Sequence, residues 1–383
     1  AGPQGTLLLG MLGAEVIKIE SHARLDHARV HSLTAGAVRG DYDQSPFFND
    51  LNLGKLSITL DLRKEEARDI ARRLVARSDV VSQNMRPGVL DRLGLGYEDL
   101  RKVKPDIIML SSSAVGATGP EGSYAGYAPT FACMSGAVEL TGYPDQPPSP
   151  LSGAVDLRVG TTAAFAVLAA LHYRQRTGEG QHIDLSSTEV MSSMIGEAFL
   201  GYNASGRLPE RSGNRDAAMA PHNCYRCRGE EQWLSIAVGT EAEWTALRSV
   251  IADPELGDAA FAGPLERWQN QDRLDAIVER WTRERDPREA MEVLQRAGVA
   301  AMRVHTGISI SKDPQVQARG VFETVEHPRI GERAVVRPPW RLEGVRVHRS
   351  APLIGEHTEY VLNEILGLSR DEIDRLAEAG ALN

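Results

Sequence analysis

The chain has 383 residues, 42% of them hydrophobic and 25% charged, and acids outnumber bases 52 to 43 for a formal charge of −9. That is an ordinary globular balance with enough length for two or three domains and a sizeable core. It argues against a general nucleic-acid binder while leaving room for a local basic pocket that takes an anionic ligand.

The first residues read as a helix, Thr6 to Leu12, leading through Gly13 into a buried strand, Glu15 to Glu20. Residues 21–50 are mixed and turn-rich, which predicts a surface loop. Lys55 to Leu62 alternates like a strand, and Lys64 to Ala76 carries an apolar helical stripe of Ala67, Ile70, Ala71, Leu74 and Val75. Short strands follow at Asp79–Ser82 and Asp106–Ser111, separated by the loop Asn84-Met-Arg-Pro-Gly88 and a helix starting at Val89. This repeating strand–loop–helix order predicts an α/β fold whose parallel sheet carries functional loops at the carboxyl ends of its strands.

Ser149 to Glu189 holds a Gly-containing loop, the acid Asp156, a long helix and a strand from Gln181 to Leu185. The helix interior from Thr161 to Leu171 has no charge, which predicts burial on all sides. Its longest apolar run, Ala163 to Leu171, is too short to span a bilayer, so no membrane association is expected. Asp156 stands at the start of this helix, where the dipole and unpaired N–H groups favour a carboxylate. It has two readings there: an N-cap, or a reactive carboxylate held ionised at the helix head.

A further helix spans about Val190 to Asn203, and the polar segment Gly206 to Pro221 marks a domain boundary. Beyond it come a strand pair at Asn223–Arg228 and Trp233–Val238. Amphipathic helices follow near Glu241–Ile251, Gln271–Glu284 and Asp286–Ala297, then a strand at Val299–Val304. The end is β-like through Phe322–His327 and Arg333–Pro338 and closes in a helix pair, Ile365–Leu382, with Ser369 as N-cap. Three cysteines, Cys133, Cys224 and Cys227, suggest a reducing, cytoplasmic setting without disulfides. Cys224 and Cys227 have metal-site spacing with His222 nearby, but no second pair follows, so no metal is expected. The chain opens at Ala1 inside what reads as an element and without Met, so the expectation is that the natural N-terminus lies upstream.

The chain resembles the class III CoA-transferases, which include formyl-CoA transferase and crotonobetainyl/carnitine CoA-transferase, with α-methylacyl-CoA racemase as a relative. The matching residues are Ala1-Gly-Pro3 with Leu12–Glu20, Asn52–Ser57, Asn84–Gly88 with Arg92–Gly96, and Gly116–Pro120. Asp156 with its helix, Thr177–Gln181, Pro352–Thr358 and Glu364–Leu368 follow in the family's order. The resemblance implies a Rossmann-like large domain over 1–205, a smaller α+β domain over 206–325, and a segment, 326–383, returning to the large domain. It also implies an interlocked homodimer acting on acyl-CoA and small carboxylic acids, with coenzyme A as the carried group.

By that match Asp156 is the acyl-accepting carboxylate, and an unperturbed Asp, with a pKa near about 3.9, is already ionised at neutral pH. The resemblance places CoA against Ala1, Lys55, Asn84, Met85, Arg86, Arg92 and Tyr127, cations and backbone donors suited to phosphates and adenine. In formyl-CoA transferase a catalytic Gln directly precedes the Ala-Gly-Pro tripeptide, a position outside this sequence. The racemases carry a His base where Tyr127 stands, and Tyr, with an unperturbed pKa of about 10, is a poor base at neutral pH. That favours a transferase over a racemase; a CoA-binding protein without catalysis is the further alternative, and the presence of Asp156 speaks against it. The glycine-rich flap of formyl-CoA transferase has no counterpart in Asp216–Asn223, so the substrate acids should differ. His222 reads there as a hydrogen-bonded loop histidine or as a group facing the site.

Overall fold

Apolar runs bounded by glycine-rich turns form parallel strands in the first half of the chain, as their order predicts. The computed structural model describes residues 1–30, 41–151, 153–347 and 349–383. After a helix, Gly2–Met11, β1 (Ile17–Glu20) pairs in parallel with β2 (Leu56–Thr59), Ile17 opposite Leu56. β3 (Val80–Gln83), β4 (Ile108–Ser113) and β5 (His182–Ser186) form a second parallel sheet in that order. The helix Glu65–Arg77 connects β2 to β3 and buries the five residues of its predicted stripe. Ile70 and Leu74 pack there with Leu56, Ile58 and the C-terminal Leu362 and Ile373.

The expected single sheet is therefore two pieces, with no pairing between β1 and β3 among the described residues. A cavity of about 290 Å³ is lined by residues of both strands and by Leu74, Val75 and Leu100. Alternation along a sequence specifies a strand and its faces but not which edges meet.

The chain divides by compactness into two units, Ala1–Val138 with Pro150–Arg207 and Gln317–Asn383, and Glu139–Ser149 with Leu208–Val316. The second unit ends at Val316 where the sequence suggests 325, and it also takes in the proline-rich 139–149 stretch. The reason lies in β9 (Phe322–His327), which pairs with β10 (Gly331–Val336) and puts Val325 into a cluster with Leu7, Leu8 and Met11 of the first helix. Within the second unit β6 (His222–Arg226), β7 (Trp233–Ala237) and β8 (Ala300–Arg303) form an antiparallel sheet. Amphipathic helices Glu241–Ile251, Gln271–Arg283 and Pro287–Arg296 bury Trp244, Leu247, Leu274, Val278 and Leu294 with Leu234 and Ile236 of that sheet. Ser369 caps the last helix, Arg370–Glu378, in a box with Glu372.

Two sequence expectations change. Part of the 21–50 stretch, residues 31–40, lies outside the described residues. The remainder is not a surface loop: it forms short helices at His27–Val30 and Pro46–Leu51, with Phe48 and Arg29 buried. The long helix, Ala154–Thr177, is not buried all round. Val159, Gly160, Ala163, Ala164 and Val167 face inward, while Leu157, Leu168 and Phe165 are exposed, Phe165 by 71%. Absence of charge identifies an apolar helix but not how many of its faces this chain covers. By length and composition this 24-residue helix could cross a membrane. Its inward face packs instead into clusters with Leu110 of β4 and with Leu7 and Leu8 of the first helix, as the central helix of its unit.

Two histidines, His327 buried and His357 half-buried, tie stability to pH. Burial, helped by Arg333, pushes the His327 pKa down against the opposing pull of Asp43 and Glu356. Burial does the same to His357, whose Nδ1 accepts the Ser57 amide proton at 3.3 Å. Both are held neutral in the fold, so the unfolded chain binds more protons below its own histidine pKa of about 6.5. Their contribution is fully present above that value and is lost as the pH falls through the lowered folded values. Urea unfolding at pH 7.5 and 5.5 is expected to show lower stability at pH 5.5, with a smaller difference in His357→Asn. An unchanged difference in that variant would rule out His357 as a source.

Candidate active site

Gly153, not Asp156, caps the long helix, and no side chain fills the cap. Asp156 is the third helical residue. Its carboxylate takes a charge-assisted hydrogen bond at Oδ1 from the amino-terminal nitrogen of Ala1, 2.9 Å away across the fold. Its side chain remains 46% exposed. The N-cap reading is therefore replaced by a carboxylate aimed out of the helix, held from one side and open on another. The positive end of the helix dipole still favours its charge.

The contact with Ala1 depends on how closely two helices approach. A Cβ on Gly5 would stand 3.0 Å from the Gly160 carbonyl, and one on Gly160 would stand 2.6 Å from Gln4 Cβ and 2.9 Å from Ala1 O. Glycine at both places lets the Gly2–Met11 helix lie against the long helix and brings Ala1 to Asp156. These two glycines were not singled out from the sequence, because a small residue in a helix carries no local mark of what crosses it. Gly160→Ala should displace Ala1 and cost about 1–3 kcal/mol by overpacking, with a loss of transfer activity. Denaturant unfolding and steady-state rates check this, and wild-type values for both would show that the contact yields freely.

The first turn of the Gly2–Met11 helix, Ala1–Pro3, is held from its other side. A Cβ on Gly2 would meet the Asn84 side chain at 3.2 Å, and Lys55 Nζ donates to Pro3 O at 2.9 Å. Lys55 is only 3% exposed, and its second hydrogen bond goes to Asn52 Oδ1 at 2.9 Å. Burial, reinforced by Lys18, holds its pKa well below the usual lysine range, while Asp26 and Glu20 pull the other way. Lys55 thus differs from the loop cation read from the sequence: it enters β2 from the interior, whereas Asn84, Met85 and Arg86 leave the carboxyl end of β3. Gly2, Pro3, Lys18, Lys55, Asn84 and Met85 all line the 290 Å³ cavity.

Arg86 and Arg92 are exposed, Arg92 at the end of the Val89–Arg92 helix with its guanidinium against the left-handed turn at Gly88. Tyr127 is exposed and precedes the Ala128–Met134 helix, its ring centroid 5.5 Å from that of His27. Ala128 and Ala132 of that helix share a cluster with Val155, Val159 and Ala1. The structure thus gathers Lys55, Asn84 and Met85 around one cavity, sets Asp156 against Ala1, and leaves Arg86, Arg92 and Tyr127 on the surface.

Other expectations resolve in the second unit. His222 opens β6 and its Nδ1 bonds the Asn214 carbonyl, as a hydrogen-bonded histidine would. Asp216 accepts the amide protons of Ala218 and Met219, and Trp268 donates to the Asp216 carbonyl, so this stretch is tied down locally. Cys224 and Cys227 are unpaired, and burial together with Asp286 pushes the Cys227 thiol up to about 11. Among the described residues no group of three or more metal-ligating side chains comes together.

Comparison with known proteins agrees with this architecture. The profile of CoA-transferase family III matches residues 1–358. Succinyl-CoA--D-citramalate CoA-transferase of Chloroflexus aurantiacus is 34% identical over 98% of this chain and 93% of its own length. Acetyl-CoA:oxalate CoA-transferase of Acetobacter aceti is 36% identical over 84% of this chain and 81% of its own. The crystal structure of a CAIB/BAIF family protein from Brucella suis superposes with a TM-score of 0.85 at 33% identity, covering 95% of each chain. The chain belongs to CoA-transferase family III and is an enzyme of the transferase class.

Proposed function

We propose that this enzyme moves CoA from an acyl-CoA thioester to a small carboxylic acid through covalent intermediates on Asp156. The observation that carries this is an exposed carboxylate at the head of the long helix, held by the Ala1 nitrogen and not spent on capping. An Asp156 oxygen attacks the thioester carbonyl, the C–S bond breaks, and a mixed anhydride and CoA thiolate result. The thiolate attacks the aspartyl carbonyl, releasing the first acid and leaving CoA on Asp156. The acceptor carboxylate then attacks this aspartyl thioester, and the freed thiolate takes the new acyl group and restores the carboxylate. No oxidant and no water enters the balance.

CoA binds in this reading along Ala1, Asn84, Met85, Arg86, Arg92 and Tyr127, with the adenosine end at the carboxyl end of β3. Exposed guanidiniums suit phosphates, and the cavity beside Asn84 suits an apolar or ring-bearing group. We also assign a Rossmann-like large domain, which the parallel order β3–β4–β5 supports, and an interlocked homodimer in the cytoplasm. The exposed Leu157, Phe165 and Leu168 of the long helix support the dimer, since water does not favour such a face. Relatives acting on succinyl, citramalate and oxalate species support a small acid as acceptor.

Borohydride or hydroxylamine trapping during incubation with acyl-CoA should modify Asp156. Turnover with an unmodified Asp156 would sink the mechanism. So would solvent deuterium entering the acyl α-carbon with no acceptor acid present, which is the mark of a racemase.

A further inference from the structure

Lys55 is a buried cation with no carboxylate in contact among the described residues. Two of its three donors are committed to protein oxygens, Pro3 O and Asn52 Oδ1. Asn52 is itself fully buried and anchored, its Nδ2 donating to Phe48 O at 2.9 Å. Bringing an ammonium out of water to meet a main-chain carbonyl is costly, and a hydrophobic residue of similar length would fill the space more cheaply. The side chain therefore needs an explanation other than stability.

The carbonyl it holds belongs to the first turn of the Gly2–Met11 helix, whose N-cap residue Ala1 touches Asp156, and it also accepts from Thr6 Oγ1 at 3.2 Å. Pro3 lies two residues from Ala1, whose nitrogen donates to Asp156 Oδ1 at 2.9 Å, and the intervening Gly2 is wedged against Asn84. Four residues on from Ala1, the helix meets the long helix at Gly5 and Gly160, with no room for a Cβ. The turn is therefore clamped at both ends, by Lys55 on one side and by the glycine crossing on the other. Asn52, Lys55, Pro3, Ala1 and Asp156 form one line of hydrogen bonds and short covalent steps.

We propose that Lys55 is a positioning residue for the Asp156 carboxylate, acting through the Ala1–Pro3 turn, and not a ligand of the CoA phosphates. This rests on the reading of Asp156 as the acyl acceptor. Its ammonium draws the Pro3 carbonyl inward, which sets where the Ala1 nitrogen stands and so which way the carboxylate oxygens face. Misplacement of a reacting group by about 1 Å can cost about 100-fold in rate, so a residue that never touches substrate can still govern turnover.

The test compares Lys55→Met with wild type and with Asp156→Ala in CoA exchange between an acyl-CoA and the best acceptor acid found. Lys55→Met is expected to lower kcat by about 10- to 100-fold, with KM for the acyl-CoA and Kd for free CoA within about twofold. Its thermal midpoint should be unchanged or higher, because a buried ammonium has been removed. A phosphate ligand would show the opposite split, and a tenfold or greater rise in the Kd for CoA overturns the proposal whatever kcat does. Wild-type kcat in Lys55→Met also overturns it. Should Lys55→Met fail to fold, Lys55→Gln carries the same comparison, since its amide still reaches toward the turn without a charge. Full exchange by Asp156→Ala would instead remove the reading of Asp156 itself, whereas an inactive Asp156→Ala beside a wild-type-like Lys55→Met removes only the role of Lys55.

Discussion

Asp156→Asn is expected to lower CoA transfer by on the order of 10³-fold or more, the scale seen when a covalent nucleophile is removed. The substitution is nearly isosteric, so the side-chain oxygen can still accept from the Ala1 nitrogen. What it loses is the anionic oxygen that forms the anhydride. The stability terms at risk are the ion pair with the Ala1 amino-terminal nitrogen, half-exposed and worth at most about 1 kcal/mol, and the helix-dipole interaction, about 0.3–1 kcal/mol; Asp156 caps nothing and the Gly153 cap is unaffected. The variant should therefore bind CoA and melt close to wild type while failing in exchange and in trapping. Single-turnover mixing with acyl-CoA is the direct measurement, with no burst of free thiol expected. A variant retaining a tenth of the wild-type rate would mean that Asp156 is not the acyl acceptor.

The second large effect lies away from the chemistry. Arg29, 2% exposed, sits 3.5 Å over the Phe48 ring. It donates to both oxygens of Glu20 at 2.8 Å and to Asp43 Oδ1 at 2.6 Å. Glu20 also accepts from Ser57 Oγ, and Asp43 from the Ile354 amide, while the Gly355 amide donates to Ser57 Oγ. One guanidinium thus joins β1, the segment before residue 50, β2 and the C-terminal stretch Pro352–Thr358. Removing one partner of a buried ion pair leaves an uncompensated charge and costs about 3–5 kcal/mol. Arg29→Ala is expected to lose that much in denaturant unfolding and to accumulate poorly as soluble protein. Arg29→Lys should recover only part of it, since an ammonium cannot make the two parallel bonds to Glu20. A loss below about 1 kcal/mol would show that the interior there relaxes or admits water.

That network gives the motif residues near 352–358 a physical role. They resemble the family's tail, and their amides close the site of Arg29. Nothing in the spacing of Glu20, Arg29, Asp43, Ser57 and Gly355 announces the arrangement, because the residues meet only when four chain segments converge. The 21–50 stretch reads as loop for the same reason: its helices are too short for a periodic signal, and Phe48 and Arg29 are buried by partners far along the chain.

The sequence by itself determined the local elements wherever one period ran long enough. The apolar stripe of Glu65–Arg77, the amphipathic helices of the second unit and the Ser369 cap follow from side-chain spacing and capping chemistry, which act over a few residues. It also placed an acid at the head of a long apolar helix. Only the tertiary structure decided which donor that acid meets, that β1 and β3 are unpaired among the described residues, that Lys55 faces inward, and that one face of the long helix is left exposed. These are questions of which surfaces meet. Contact between distant segments is set by shape and burial summed over the whole fold, and a carboxylate 155 positions from its hydrogen-bond donor carries no trace of that donor in its neighbours.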